Sequence, residues 1–449
     1  MFKTITEKIK LFWTSDGADN ALKKKLIKGA AGSFGLKIAA SALAFVMSVI
    51  FARFLGKSGL GTYSYATTWA NLLSIPAALG LDQLIIREVA VHRSKAEYGL
   101  IGGILRFASI LVLASSITVA LVAVAIAWNL NKNSDPTVIL AIAMAMITVP
   151  IISLRNLRLG AMKGLHKVVL GQMPDSLFSP IIIICLTCAA YFILSDRFNV
   201  FWVLGIKIAA SVITFIIGTR WLIKSLPAQT NQIAPEYKIK KWVADALPFM
   251  FLGTSQLLNS RIDILMLGSI TGVEAVGIYT VVMGITKLTV FIHQASNSVL
   301  GPAIATLYAE GKIRQLERMV RKSMLSVFMI SLLIGGTLML FGNQVLSIFG
   351  EEFLEGRTAM SILVIGSIFT SFTGAVGLLL NMTGHQNDTA IAVGLSAISN
   401  IILNSILIPR WGINGAATAT TTSLILINIM KAISVKRKLG ISLYSFGKK

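Results

Sequence analysis

The sequence predicts an all-α polytopic membrane protein with about twelve transmembrane helices, and three observations carry that prediction. Hydrophobic residues make up 55% of the 449-residue chain and charged residues only 13%, where an ordinary soluble domain has about a quarter charged. Runs of about twenty apolar residues, each enough to cross about 30 Å of hydrocarbon, recur between short polar breaks. Lysine and arginine then collect in alternate breaks. The formal net charge of +22 would point to nucleic acid in a soluble chain, but placed this way it reports membrane orientation, and no nucleic-acid partner is expected.

The elements follow in order. Residues 1–28 read as a cytoplasmic amphipathic segment: Phe2, Ile5, Ile9 and Phe12 repeat at helical spacing beside Lys3, Lys8 and Lys10, which suits an anionic membrane surface. The apolar run that begins near Gly29 outruns the ~7–15 residues of a signal-peptide core, so it is expected to stay as a span. Twelve spans are expected at 29–54, 60–82, 99–128, 137–156, 169–194, 199–222, 242–268, 276–303, 323–348, 358–381, 389–409 and 412–434. With the first segment placed inside, the inside breaks hold 30 of the 41 basic residues and the outside breaks 5. This positive-inside asymmetry puts both termini in the cytoplasm.

An internal repeat divides the chain. Gly56, Gly61 and Tyr63 form a GxxxxGxY turn after the first span, and Gly272, Gly277 and Tyr279 repeat it 216 residues later, after the seventh. Glycine suits a tight turn at the membrane surface, and tyrosine suits the interface. Both spans run in the same direction, so the halves are parallel repeats. The expected organisation is a six-helix bundle over 29–224, a cytoplasmic linker over 225–241, a second bundle over 242–434 and a basic cytoplasmic tail over 435–449.

Six basic side chains fall inside spans: Lys37, Arg53, Arg106, Lys207, Arg261 and Lys287. A charge at the bilayer centre is costly, so it faces a watery cavity, a partner or an anion. Few acids are placed to neutralise these six. Depth separates them. Arg53, Arg106 and Lys207 sit nearer the surfaces, where they can anchor by snorkelling, whereas Lys37, Arg261 and Lys287 have polar neighbours at greater depth and point to a cavity.

In span seven, Gln256, Asn259, Ser260 and Asp263 share one stripe, and Arg261 lies roughly 200° around the helix from Asp263, too far to pair with it. Gln294 follows Lys287 by seven residues on the same face. The candidate anion-binding set is therefore Lys37, Arg261 and Lys287, with Arg53, Asp263 and Gln294 as further polar groups. Asp175 lies between Pro174 and Pro180, at an expected kink. Ser367, Thr370 and Ser371, and Ser396, Asn400 and Asn404, read as stripes that glue helices together. Cys185 and Cys188 lie within an apolar run and read as core packing. The four histidines are scattered, and neither a metal site nor a cofactor is expected.

Several stretches resemble a known family: Phe51 to Ala90, Leu154 to Leu177, Arg261 to Tyr279, the LLLNMTGHQ segment ending at Gln386, and Asn400 to Thr420. They resemble the polysaccharide-transporter branch of the multidrug/oligosaccharidyl-lipid/polysaccharide (MOP) exporter superfamily, the O-antigen-flippase-like proteins. The resemblance implies two six-helix bundles of the MATE type around a cleft that opens alternately to each side. It also implies, as substrate, an oligosaccharide on a polyprenyl diphosphate, carried from the cytoplasmic to the outer leaflet of a prokaryotic plasma membrane. Membrane lipids and polysaccharide polymerase or assembly proteins are the implied partners. Two alternatives stand beside it: a cation-coupled drug exporter of the same superfamily, which would favour acids or aromatics over buried base, and a non-transporting scaffold. A membrane enzyme is disfavoured because the outside breaks are too short to carry a catalytic loop.

Overall fold

The computed structural model describes residues 17–130 and 135–441. Side chains are described from residue 32 onward except at 129–130, 231, 251–252, 255–260 and 299. The expected N-terminal surface helix, the end of the basic tail, and the side chains of Gln256, Asn259 and Ser260 lie outside the described residues. Among those described, the chain is helical without strands: α1 (Gly17–Ala78), α2 (Leu81–Ser94), α3 (Tyr98–Leu130), α4 (Pro136–Met146), α5 (Thr148–Gly164), α6 (Val168–Met173), α7 (Ser179–Leu194), α8 (Val200–Ser225), α9 (Gln229–Gln232), α10 (Ile239–Ile270), α11 (Val273–Ala309), α12 (Ile313–Leu340), α13 (Gly342–Ser347), α14 (Arg357–Thr373), α15 (Val376–Met382) and α16 (Gln386–Leu439). A π-helical turn, Pro174–Phe178, joins α6 to α7, and it falls at the expected kink beside Asp175. Nine helical segments among the described residues are long and apolar enough to cross a membrane. The protein is a multi-pass membrane protein.

Two of those segments are hairpins. In α1 the backbone leaves helical geometry at Gly56, with φ 67° and ψ −178°. The rings of Phe51 and Tyr63 then meet at 4.9 Å, although twelve residues of straight helix would hold them about 18 Å apart. In α16 the break is Gly412. Ser396 Oγ donates to the carbonyl of Ser423 at 3.0 Å, a contact that about 40 Å of straight helix would forbid.

The repeat is visible in the backbone. Gly272 begins α11 with φ 95° and ψ 173°, the conformation of Gly56 in the other half, and a side chain at this positive φ would be strained. The two GxxxxGxY turns also pack on each other. A Cβ on Gly61 would fall 1.7 Å from the carbonyl oxygen of Val273, and one on Gly277 would fall 2.0 Å from that of Lys57. Shifting either contact by 216 residues produces the other, as a pseudo-two-fold axis between the halves requires.

Packing shows how the halves, α1–α8 and α10–α16, are disposed. Near these turns they share one core containing Phe51, Leu60, Tyr65, Leu204, Leu265, Tyr279, Phe349 and Ile408. At the opposite end, where the basic breaks lie, there are two cores. One joins Leu81, Leu84, Ile101 and Leu157, and the other joins Ile304, Leu316, Leu379 and Val435. The halves thus share one core at one end and have separate cores at the other, where, among the described residues, only the start of α10 joins the first-half core. Trp242 and Ala246 of α10 pack in the first-half basic-end core. Residues before α10 also run across α3, with the Glu236 amide donating to the Gly99 carbonyl at 3.0 Å.

Two expectations are corrected here. Cys185 is exposed and Cys188 half-exposed, because α7 lies at the edge of its bundle and turns this apolar face outward, where the neighbour is lipid. Tyr63 and Tyr279 are 8% and 0% exposed, so neither lies at the interface. The turn glycines bring the helices so close that both tyrosines fall inside the shared core.

Candidate functional site

The second turn of the repeat builds the site, since it fixes α10 against α11 and α16. Asp263, on α10, is 4% exposed and accepts hydrogen bonds from Tyr279 Oη at 2.9 Å and the Ile264 amide at 2.9 Å. Thr420, on the second leg of α16, approaches the same oxygen at 3.4 Å. Asp263 is thus held by neutral donors. Arg261, half-buried, forms no ion pair with it, as the angular separation on the helix predicts, but lies within its electrostatic range. Lys287, on α11, lies within range of both Arg261 and Asp263. Three of the six expected residues therefore come together, with one more cation than acid.

Lys287 is exposed, and so are Gln294 and Ser298 on the same stripe. Between them Phe291 stacks on Phe34 of α1 at 6.1 Å, which aims this stripe at the first half. Lys37, exposed and three residues beyond Phe34, stands on the facing helix. Its carbonyl accepts from Ser41 Oγ at 2.8 Å, and no described carboxylate lies within ion-pair distance of its amine. The repeat offset maps Lys287 onto Asn71, which is also exposed. The two halves thus carry a lysine and an amide, both exposed, at equivalent positions of the repeat.

Arg53 is placed elsewhere. Its Nε and Nη2 donate to the carbonyls of Ile348 and Ser347, both at 2.8 Å, at the end where the halves meet. Lys57 beside it pairs with Glu355 at 3.1 Å and Glu274 at 3.4 Å, and the Lys57 amide donates to Glu352 at 2.9 Å. These bonds tie the first half to the second. Arg53 and Lys57 act as a clasp at the end where the halves share a core.

Sequence reasoning missed a second polar cluster, in the first half. Arg158, 3% exposed, ion-pairs with Asp175 and donates to the carbonyls of Thr214 and Phe215 at 3.1 and 3.3 Å. Gly218 admits it, since a Cβ there would fall 1.8 Å from Arg158 Nη1. Lys207 lies over the Tyr63 ring, 5.0 Å from its centroid, within electrostatic range of Arg155. The signal available was the three-residue spacing of Arg155 and Arg158 at the end of an apolar run. A positive-inside tally assigned both to the loop. Lys431 was likewise counted among the inside basic residues, yet it packs on α15, 3.4 Å from where Gly377 would carry a Cβ. Among the described residues no cluster of His, Cys, Asp or Glu is arranged to hold a metal ion.

Residues 26–308 match the family described as polysaccharide biosynthesis protein. The chain belongs to that family. It lies in the polysaccharide-transporter branch of the MOP superfamily, and residues 248–406 also match the MatE family. Two curated relatives of the chain come from Haloferax volcanii. One is a probable low-salt glycan biosynthesis flippase, Agl15, 23% identical over 89% of this chain and 81% of its own. The other is a probable flippase, AglR, 24% identical over 90% of this chain and 82% of its own. Among solved structures, an inward-facing multidrug resistance MATE transporter of the MOP superfamily superposes with a TM-score of 0.75. It is 15% identical and covers 91% of this chain and 96% of that one, so the chain has the MATE fold.

Proposed function

We propose that this flippase-family protein moves a polyprenyl-diphosphate-linked oligosaccharide from the cytoplasmic to the outer leaflet of a prokaryotic plasma membrane. It would do so by alternating access of the cleft between two six-helix bundles, with both termini cytoplasmic. The observation that carries this reading is the excess of base in the cleft: Arg261 and Lys287 share one buried acid, Asp263, and Lys37 faces them without a carboxylate. A diphosphate is a compact anion that a forked guanidinium and a mobile ammonium together can hold. The basic breaks lie at the open end, so positive-inside placement turns that opening to the cytoplasm, where the substrate enters. The clasp of Arg53 and Lys57 closes the outer end in this state. Asp263, held by neutral donors, tempers the cation pair enough for release. An exporter of organic cations is disfavoured by the same excess of base.

The test is reconstitution in liposomes carrying a fluorescent polyprenyl-diphosphate oligosaccharide, with a membrane-impermeant glycosidase added to reveal what has crossed. The protein is expected to raise the accessible fraction, and empty liposomes are not. If the lipid-linked sugar stays put while an organic cation is exported by the same preparation, the reading is wrong.

A further inference from the structure

Span ten is broken inside its apolar run, between α14 (Arg357–Thr373) and α15 (Val376–Met382). Gly374 makes the break, with φ 72° and ψ −155°, angles that in practice only glycine adopts. The repeated fold does not require it. After α5 the Lys167 amide donates to the Met162 carbonyl at 2.9 Å, and after α15 the His385 amide donates to the Leu380 carbonyl at 2.8 Å. These are the same turn, and His166 and Gly384 hold positive φ in it, at 59° and 84°. Counted back ten residues from each, Gly374 corresponds to Asn156, in the middle of the continuous helix Thr148–Gly164. One half runs straight where the other is bent.

The break also divides two packing units. α14 puts Ala359, Met360, Leu363 and Val364 into the core that the halves share. Thr421 and Asn428 of α16 tie it there, donating to the Ile362 carbonyl at 3.0 Å and to Thr370 Oγ1 at 3.2 Å. α15 instead puts Val376, Leu379 and Leu380 into the second half's basic-end core. Beside the break lies a cavity with about 10 Å³ of room for the centre of a water-sized guest, lined in part by Asn297, Ser323, Gly374 and Ala375. Asn297 Nδ2 donates to His293 Nε2 at 3.1 Å, but Asn297 Oδ1 is sealed from solvent with no hydrogen-bond partner among the described residues. Close-packed helices resist bending, and a void with an unsatisfied polar atom marks a place where packing is not complete.

Resting on the alternating-access reading, we propose that Gly374 is a hinge. Span ten is bent in the present form, in which the basic-end cores are separate, and straightens when that end closes, as its counterpart at Asn156 is already straight. α14 stays fixed in the shared core while α15 carries basic-end packing with it, so the second half flexes within itself rather than turning as one block. The cavity is the room through which the hinge moves.

The experiment reads the distance across the basic end in liposomes without substrate, from spin labels at Lys95→Cys and Lys312→Cys, both exposed, in a background of Cys185→Ser and Cys188→Ser. Gly374→Ala penalises the bent form alone, so the short-distance population is expected to gain about 5- to 150-fold on the long one. Ser323→Val keeps the glycine and fills the cavity, and it is expected to shift the ratio the opposite way, toward the long distance, by about fivefold or more. Gly336→Ala on α12, whose Cβ meets nothing within 4 Å, should leave the distribution as it is. An unchanged ratio in Gly374→Ala, even with a lowered melting temperature, would make the break a fixed feature of both forms and overturn the proposal. Should Gly374→Ala not fold, Ser323→Val decides alone, and a ratio that stays put or moves toward the short distance overturns the hinge. Populations that shift as expected while a lipid-linked sugar stays where it is would overturn the flippase reading and leave the hinge standing.

Discussion

Replacing either repeat glycine with alanine should break the closed end of the cleft while leaving each half folded. A Cβ at Gly61 would lie 1.7 Å from the Val273 oxygen, and at Gly277 2.0 Å from the Lys57 oxygen. A carbon meets a carbonyl oxygen at about 3.3 Å, so the helices must part by about 1.5 Å, and neither obstacle is a side chain that could swing aside. Overpacking of this kind costs about 1–3 kcal/mol, and because it acts only where the halves touch, the cost falls on the closed state. The ratio of closed to open forms should drop about 5- to 150-fold. The assay is a spin-label distance across the closed end, with labels at Asp196→Cys and Ser269→Cys, both exposed, in a background of Cys185→Ser and Cys188→Ser. Gly61→Ala and Gly277→Ala should lengthen that distance and slow transport. Gly284→Ala, on the same helix as Gly277 with nothing within 4 Å of its Cβ, should change neither. An unlengthened distance with transport intact in both repeat variants would refute the argument.

Other outcomes follow from the same contacts. Arg158→Met should cost about 3–5 kcal/mol by stranding Asp175 as a buried charge, and adding Asp175→Leu should recover most of it; thermal unfolding in detergent measures both. Glu352→Gln with Glu355→Gln should lengthen the spin-label distance across the closed end by loosening the clasp, yet change overall stability by less than about 1 kcal/mol, since these pairs are exposed. At the basic end, a hydrogen bond from His92, 2.5 Å away, holds the Glu97 carboxyl below its ordinary range. A carboxyl with a depressed folded value stabilises above its unfolded value, about pH 4.3, and loses that contribution as the pH falls through the folded one. Melting temperature followed down through pH 4 should therefore fall more steeply in the wild type than in Glu97→Gln.

Much of the fold was legible because its causes are local. Apolar run length sets the spans, and the GxxxxGxY turns announce both the repeat and, through Gly56 and Gly272, the positive-φ backbone that makes the hairpin possible. The grouping of Arg261, Asp263 and Lys287 was half legible, since depth and helical phase are readable but the contact between α10 and α11 is not. What stayed hidden depends on long-range packing. Tyr63 and Tyr279 carry interfacial side chains, and only the glycine-to-backbone contacts explain why they are buried. Arg155 and Arg158 look like loop residues to a charge tally, and only Asp175 and the bare surface at Gly218 show that the apolar run continues around them. Arg53 was grouped with the anion-binding residues by charge, and its partners are carbonyls nearly 300 residues away in the chain.

The most direct test of the central claim, that the cations of the second half hold the diphosphate, is the initial rate of lipid-linked oligosaccharide movement in liposomes containing Arg261→Gln with Lys287→Gln. The double variant is predicted to lose about a hundredfold or more in rate for acidic and neutral glycans alike, as loss of two charge-assisted contacts implies, while its spin-label distances stay those of the wild type. A rate within about twofold of wild type, at equal reconstitution, would contradict the account.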